Sequence, residues 1–576
     1  MKRIACSIAL ALAACVAPTV AAAAAAPPVA FEQAAAAASN PAAYPANYAE
    51  LTALFADWRQ FLEPVTRDFK PDYSPAAMAA KQAELPKYVA RLHAIDTSGW
   101  PKGALIDYKL VQAEMNGLDF DFRVLMPWAR DPSFYQAVFS DWSDVPAREG
   151  PNAQPVINLY DFKYPLSAAD DKKLTAMLAA VPANLQAAKL NLKDGNAKGL
   201  WEFGDRAFKE QSATLESLAA GKLVMRTLDG EVPANMQGAS SRLKAAIRKA
   251  KAATDEFAAW VAAEAPKKNG PTGVGKENYN WFAKNVQLIP YDWDAQVLLM
   301  QRELDRNLSS LRLEELRNRD VPPIREITDP AAYDKMAQEK AAYLFDFMVK
   351  AGFVDDKPEL RAALMAQAGV YTPPEQRNFF TFMTALDPLP LQSHSTHWID
   401  LARMKYEPNA SPIRRVPSLF NIHDTRSEGF ATAMEEVLMQ VGLYDNVPHG
   451  RELVWIAAAN RAARGLASLY VQSNEWDLDR AGKFQGDWTP RHWSDAKGQL
   501  VGFEQLLYAR QPGYGPSYIV GKMQLDHLIA RVQFDDDQAG RPFVMGDLMK
   551  RVWNAGVIPV ALIEAELTDE PVTVTK

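Results

Sequence analysis

Apolar residues recur at helical spacing along most of this 576-residue chain, and the alternating runs that mark strands are scarce. That periodicity predicts a mainly α body, because each such stripe must find another helix to bury it. From Ser241 to Ala265 the stripe is Leu243, Ile247, Ala250, Phe257, Trp260 and Val261, and Pro266 with Lys267-Lys268-Asn269-Gly270 ends it. Asp294 to Asn318 repeats the pattern through Val297, Met300, Leu304, Leu308 and Leu311. There Arg302, Glu303 and Arg306 are expected on the outer face, and Val321-Pro322-Pro323 is the stop. No fixed period of roughly 30–45 residues recurs, so the packing is expected to be irregular rather than a repeat array. A soft boundary near Pro322 divides an N-terminal half from a C-terminal half.

The amino terminus reads as an export signal over 1–26. Lys2 and Arg3 precede an apolar run from Ile4 to Leu12, too short to span a bilayer as a mature helix. Leu12-Ala13-Ala14-Cys15 has the form of a lipobox that would place a lipid on Cys15, while Val20 to Ala26 offers sites for ordinary cleavage. An Ala/Pro-rich lead, 27–47, comes next, and a single large helical body is expected over 48–576. No later stretch reaches about 18 uninterrupted apolar residues, so no transmembrane helix is expected after the signal. The expected location is the periplasm, with or without a lipid anchor.

Sixty-three Lys and Arg against 70 Asp and Glu give a net charge of −7, which removes the electrostatic basis for general nucleic-acid binding. Cys6 and Cys15 are the two cysteines, so the body has neither a disulfide nor a thiolate-held metal.

Two motif-like stretches are weak. Gly270 to Lys276 copies the outline of a phosphate-binding loop, but Glu277 stands where a hydroxyl is required and an amphipathic helix precedes it rather than a buried strand. A Gly-rich connection between helices is the simpler reading. Ser517, in Gly515-Pro516-Ser517-Tyr518-Ile519, lacks the second glycine of a nucleophile elbow.

A zinc hydrolase needs imidazoles and a carboxylate on converging helix faces, with one coordination position left open. A helix is expected from Pro390 to about Tyr406, placing His394 and His397 on one face at i and i+3. Ser427 is expected to cap a second helix that opens with Glu428-Gly429-Phe430-Ala431 and ends near Gly442.

These segments, taken in order, resemble the bacterial family called domain of unknown function 885. The likeness extends over nearly all of the chain after about residue 48. It includes Gly275-Lys276-Glu277-Asn278-Tyr279, Glu428-Gly429-Phe430-Ala431 for E-G-W-A, and Arg461-Ala462-Ala463-Arg464 for R-x-x-R. It also includes Pro512 to Gly521 for P-G-Q-A-x-x-Y-x-x-G and Gly556-Val557-Ile558-Pro559 near the end. The resemblance implies an irregular multi-helix, zincin-like metallopeptidase scaffold with few short strands. It also implies losses. The family's H-E-x-x-P-G-H falls on Leu391-Gln392-Ser393-His394-Ser395-Thr396-His397, so only the last histidine matches. D-x-G-x-H becomes Ser468, Tyr470 and Gln472, and the F-H pair becomes Leu548-Met549.

Gln392 cannot accept a proton as the family glutamate would. The first expectation is therefore a metallopeptidase-like protein whose catalysis has decayed, without zinc, binding peptides or another small ligand. Its pocket candidates are Gln392, Glu428, Arg510 and Tyr518. Arg510 is expected to pair with a carboxylate, and Tyr518 either to bond a peptide carbonyl or to pack on Trp553 or Trp455. The second is a metal-dependent peptide or amide hydrolase with a site rebuilt from His394 and His397, with Glu428 or His423 completing three ligands. The third is a structural envelope protein. His93, His449, His492 and His527 sit in no ligand spacing.

Overall fold

The protein is described by a computed structural model covering residues 44–147 and 150–574. The signal segment, Cys15 and the lead up to residue 43 lie outside the described residues. The first helix begins at Tyr48, the expected start of the body. The architecture is mainly helical, and the strands form three two-stranded ladders, one of them parallel (Val138–Phe139 with Ile157–Asn158).

Ten helices carry the residues of functional interest: α1 (Pro75–Ala94), α2 (Lys102–Phe120), α3 (Lys276–Asn285), α4 (Trp293–Arg317), α5 (Leu389–His394), α6 (His397–Tyr406), α7 (Asp424–Gln440), α8 (Pro448–Gln472), α9 (Gln499–Arg510) and α10 (Tyr514–Gln538). Side-chain caps set several boundaries. Asp292 accepts from the Ala295 amide at the start of α4, and Ser240 caps Ser241–Glu264 through the Leu243 amide. Both helices fall within a residue of their expected bounds.

The main core gathers apolar side chains from Tyr48 to Ile563, and Pro322 falls between two helices that feed it. A second core lies under Ala168–Asn191, Arg206–Ala219 and Ser241–Glu264, built from Phe134 to Val261. No helix among the described residues is long and apolar enough to cross a membrane.

The structure corrects three local expectations. Pro390 to Tyr406 is two helices, α5 and α6, separated at Ser395-Thr396. The second motif helix starts at Asp424, with His423 at its N-cap position, so Ser427 and Glu428 lie inside it. Arg426, in its first turn, meets Asp400 on α6. Glu303 is buried rather than on the outer face of α4, because Arg306 binds it and also reaches Glu436 on α7.

The phosphate-loop look-alike is a connection between helices. Gly275, at φ +82°, precedes α3, and the Gly273 amide donates to Asn474 Oδ1. Lys276 pairs with Glu475 and lies over the Trp293 ring.

Candidate metal centre

The site sits where α5, α6, α7 and α10 meet. Two devices bring these helices together. On one side, Arg426 of α7 makes a bidentate pair with Asp400 of α6, both contacts at 2.9 Å and both groups buried. On the other, α7 and α10 touch through backbone at Gly429 and Gly521. A Cβ on Gly429 would lie 2.4 Å from Gly521 Cα, so only glycine permits the approach. These are two of the glycines in the family-like motifs.

The result is a triangle of ligand atoms. His394 Nε2 lies 3.3 Å from His397 Nε2, His397 Nε2 lies 3.2 Å from Glu428 Oε2, and His394 Nε2 lies 3.5 Å from the same oxygen. Tetrahedral zinc with bonds of about 2.0–2.1 Å requires its ligand atoms to stand about 3.3–3.4 Å apart. The three edges match that requirement. The donor set, two imidazoles and one carboxylate, is also one that zinc takes. Among the described residues, this is the group of His, Cys, Asp and Glu side chains that converges as a metal site would.

Neighbouring groups orient the ligands. Tyr514 donates its hydroxyl to Glu428 Oε1 at 2.5 Å, leaving Oε2 to face the imidazoles. His394 Nδ1 lies 2.8 Å from Glu435 Oε1, within ion-pair distance but without a hydrogen bond, and Arg461 donates to Glu435 Oε2 at 2.8 Å. A carboxylate behind a ligating imidazole is the usual outer support of a metal site. Access is narrow: the side chains of His394, His397 and Glu428 are 14%, 3% and 4% exposed.

Electrostatics follow from burial and proximity. Burial disfavours charge on His397, but Glu428 outweighs it, with Asp144 and Asp400 adding to the effect, and the pKa is pushed up to about 9. Burial likewise disfavours charge on Glu428, yet His397 and His394 hold its carboxyl well below the usual range. Without a metal, the pair is an imidazolium and a carboxylate.

The other expected residues lie elsewhere or have other partners. His423 is buried at the start of α7 and stands outside the triangle; burial brings its pKa down to about 4 and keeps it neutral. Gln392 donates to the carbonyls of Ala337 and Ala368, both at 2.8 Å. Arg510 does pair with a carboxylate, but it is the chain's own: Asp131 Oδ2 at 2.5 Å, with Pro151 O at 2.8 Å. Tyr518 has aromatic and cationic neighbours. It lies in a cluster with Tyr508 and Tyr514, its ring stacked 6.2 Å from His394 and under the Arg464 guanidinium. Trp553 instead packs on Phe430, and Trp455 sits under Arg306.

Other contacts occupy the positions at which the resemblance implied lost residues. Leu548 and Met549 are in the main core, and Gln472 donates to Tyr508 O at 2.7 Å. His449 bonds Glu452, and His527 pairs with Glu564. Sequence reasoning did not single out Glu435 or Tyr514. Glu435 stands seven residues after Glu428, two turns along the same face, and that spacing was the available signal.

No curated protein matches the sequence. Two solved structures share its fold. One, described as "a putative lipoprotein of unknown function from Shewanella oneidensis", has a TM-score of 0.62 at 12% identity, over 90% of this chain and 99% of that one. The other, "the putative lipoprotein from Colwellia psychrerythraea", has a TM-score of 0.60 at 12% identity, over 90% of this chain and 97% of that one. Residues 62–313, which include Gly275–Tyr279 but end before the ligand triangle, match the family model described as bacterial protein of unknown function (DUF885).

Proposed function

We propose that this protein is an exported, zinc-binding member of a metallopeptidase-like scaffold, with a rebuilt His394–His397–Glu428 site that hydrolyses peptides or related amides. The observation that carries the reading is the ligand triangle, with edges of 3.2, 3.3 and 3.5 Å. Zinc held there supplies a Lewis acid that polarises an amide carbonyl. The chain's own groups do the rest. Tyr514 fixes one oxygen of Glu428, Glu435 backs the His394 ring, and the buried walls keep bulk water from weakening the electrostatics. Export is supported by the signal-like amino terminus and by the description of both fold relatives as lipoproteins.

A second reading, a metal-binding but non-catalytic peptide receptor, is favoured by Gln392. At the place of the family's glutamate stands an amide that is committed to two backbone carbonyls. Elemental analysis of the purified protein and a peptide-cleavage assay with and without chelator separate the two. Stoichiometric zinc with chelator-sensitive cleavage supports the hydrolase, and stoichiometric zinc without cleavage supports the receptor. Protein that takes up no zinc at neutral or alkaline pH overturns both.

A further inference from the structure

A cavity of about 230 Å³ opens far from the metal centre in sequence, between the end of α1, the middle of α2 and the end of α3. His93, Lys109 and Lys284 line it, together with the amides Gln112, Asn116 and Asn285, over an apolar floor that includes Leu92 and Met115. No Asp or Glu is among its lining residues, in a chain that carries more acidic than basic groups.

Two of these basic side chains have a local reason to be there. His93 stands in the last turn of α1 and Lys284 in the last turn of α3, where the helix dipole favours positive charge. The carbonyls of those ends are already met by donors: Tyr108 donates to Leu92 O at 3.2 Å and Asn116 to Asn285 O at 2.9 Å. Lys109 has no such reason. It lies mid-helix and half-buried, and its ammonium donates to the neutral Gln112 Oε1 at 3.0 Å. Neither lysine nor His93 makes an ion pair among the described residues, whereas the more deeply buried Lys522 reaches Glu436 at 3.1 Å and Asp526 at 2.9 Å. Burial alone acts on Lys109 and lowers its pKa, with no carboxylate to offset it. A desolvated cation without a counter-charge is costly unless a ligand supplies one.

We infer that this cavity binds a small organic anion, its carboxylate or phosphate head against Lys109 and its apolar body against Leu92 and Met115. A space of about 230 Å³ admits a small ring carrying one charged head group. Lysine, a compact point charge without a planar fork, suits either head group. The cavity and the ligand triangle share no residue, so each can fail without the other.

Calorimetric titration of the full exported chain tests it, with benzoate and phenyl phosphate as probes and benzamide as the uncharged control. At least one anion binds saturably, and benzamide binds at least tenfold more weakly. Lys109→Gln weakens that anion at least tenfold, Lys109→Arg retains it, and His394→Ala leaves it unchanged. The relative strength of the two probes tells carboxylate from phosphate. If neither anion binds, if benzamide binds as well, or if Lys109→Gln binds as wild type, the inference is wrong. Should Lys109→Gln fail to fold by circular dichroism, Lys284→Gln on the exposed rim replaces it. A threefold or greater loss there supports the inference, and unchanged binding overturns it.

Discussion

Zinc affinity at the triangle is expected to depend steeply on pH. A ligating imidazole must be neutral, so the metal competes with whatever proton His397 carries. In the metal-free fold that proton is held unusually firmly. Burial would release it, but Glu428 at 3.2 Å outweighs burial and the pKa rises from 6.5 to about 9. At pH 7 about one molecule in a hundred then has a neutral ring, and at pH 9 about half do, so apparent affinity rises about fiftyfold between these values, roughly 2.3 kcal/mol. An ordinary histidine would give a change of only about 1.3-fold over that range. Glu428, held well below the usual carboxylate range, stays ionised throughout and adds no slope.

Competition against a chromophoric chelator, corrected for the chelator's own protonation, measures the slope directly. An affinity that is flat from pH 7 to 9, with zinc bound, refutes the electrostatic account of the His397–Glu428 pair. The same shift has a consequence for stability. The folded pKa lies above the unfolded one, so its contribution is complete below pH 6.5 and is lost as pH rises through about 9. Chelator-treated protein therefore loses about 3 kcal/mol over that window, and zinc-loaded protein loses less.

Glu435→Gln removes the charge behind His394 Nδ1 and is expected to lower zinc affinity about 10–100-fold with little change in fold, read by the same competition assay. Gln392→Glu, which introduces the carboxylate that the resemblance implies, cleaves peptides no faster than wild type and destabilises the protein by about 1–3 kcal/mol in urea unfolding, because a carboxylate cannot donate to Ala337 O and Ala368 O; faster cleavage than wild type would show that the side chain reaches the site. Arg426→Leu strands Asp400 in the interior and costs about 3–5 kcal/mol in the same unfolding measurement, and zinc binding weakens with it because α6 and α7 lose their tie.

Much of the helical framework was legible from local signals. Ser240 and Asp292 cap their helices through their own side chains, and the apolar stripes of Ser241–Glu264 and Trp293–Arg317 face the cores as their spacing required. The break at Ser395-Thr396 was not legible, because neither residue is a strong helix breaker. Nor was the burial of Glu303, since the Arg306 that binds it also reaches Glu436, about 130 residues further along the chain.

The sequence by itself determined the helices, the motif glycines and the presence of His394, His397 and Glu428 within reach of one another along the chain. It also determined that Gln392 cannot serve as a base, which is a matter of side-chain chemistry alone. Only the tertiary structure decided that three of the four proposed ligands converge and that His423 does not. It also decided that Arg510 is bound to Asp131 and that Tyr514 and Glu435 brace the ligands. The physical reason is that ligation requires atoms from separate helices to meet within a few tenths of an ångström. That precision is set by the Gly429–Gly521 approach and the Asp400–Arg426 pair, contacts between elements that no local spacing encodes.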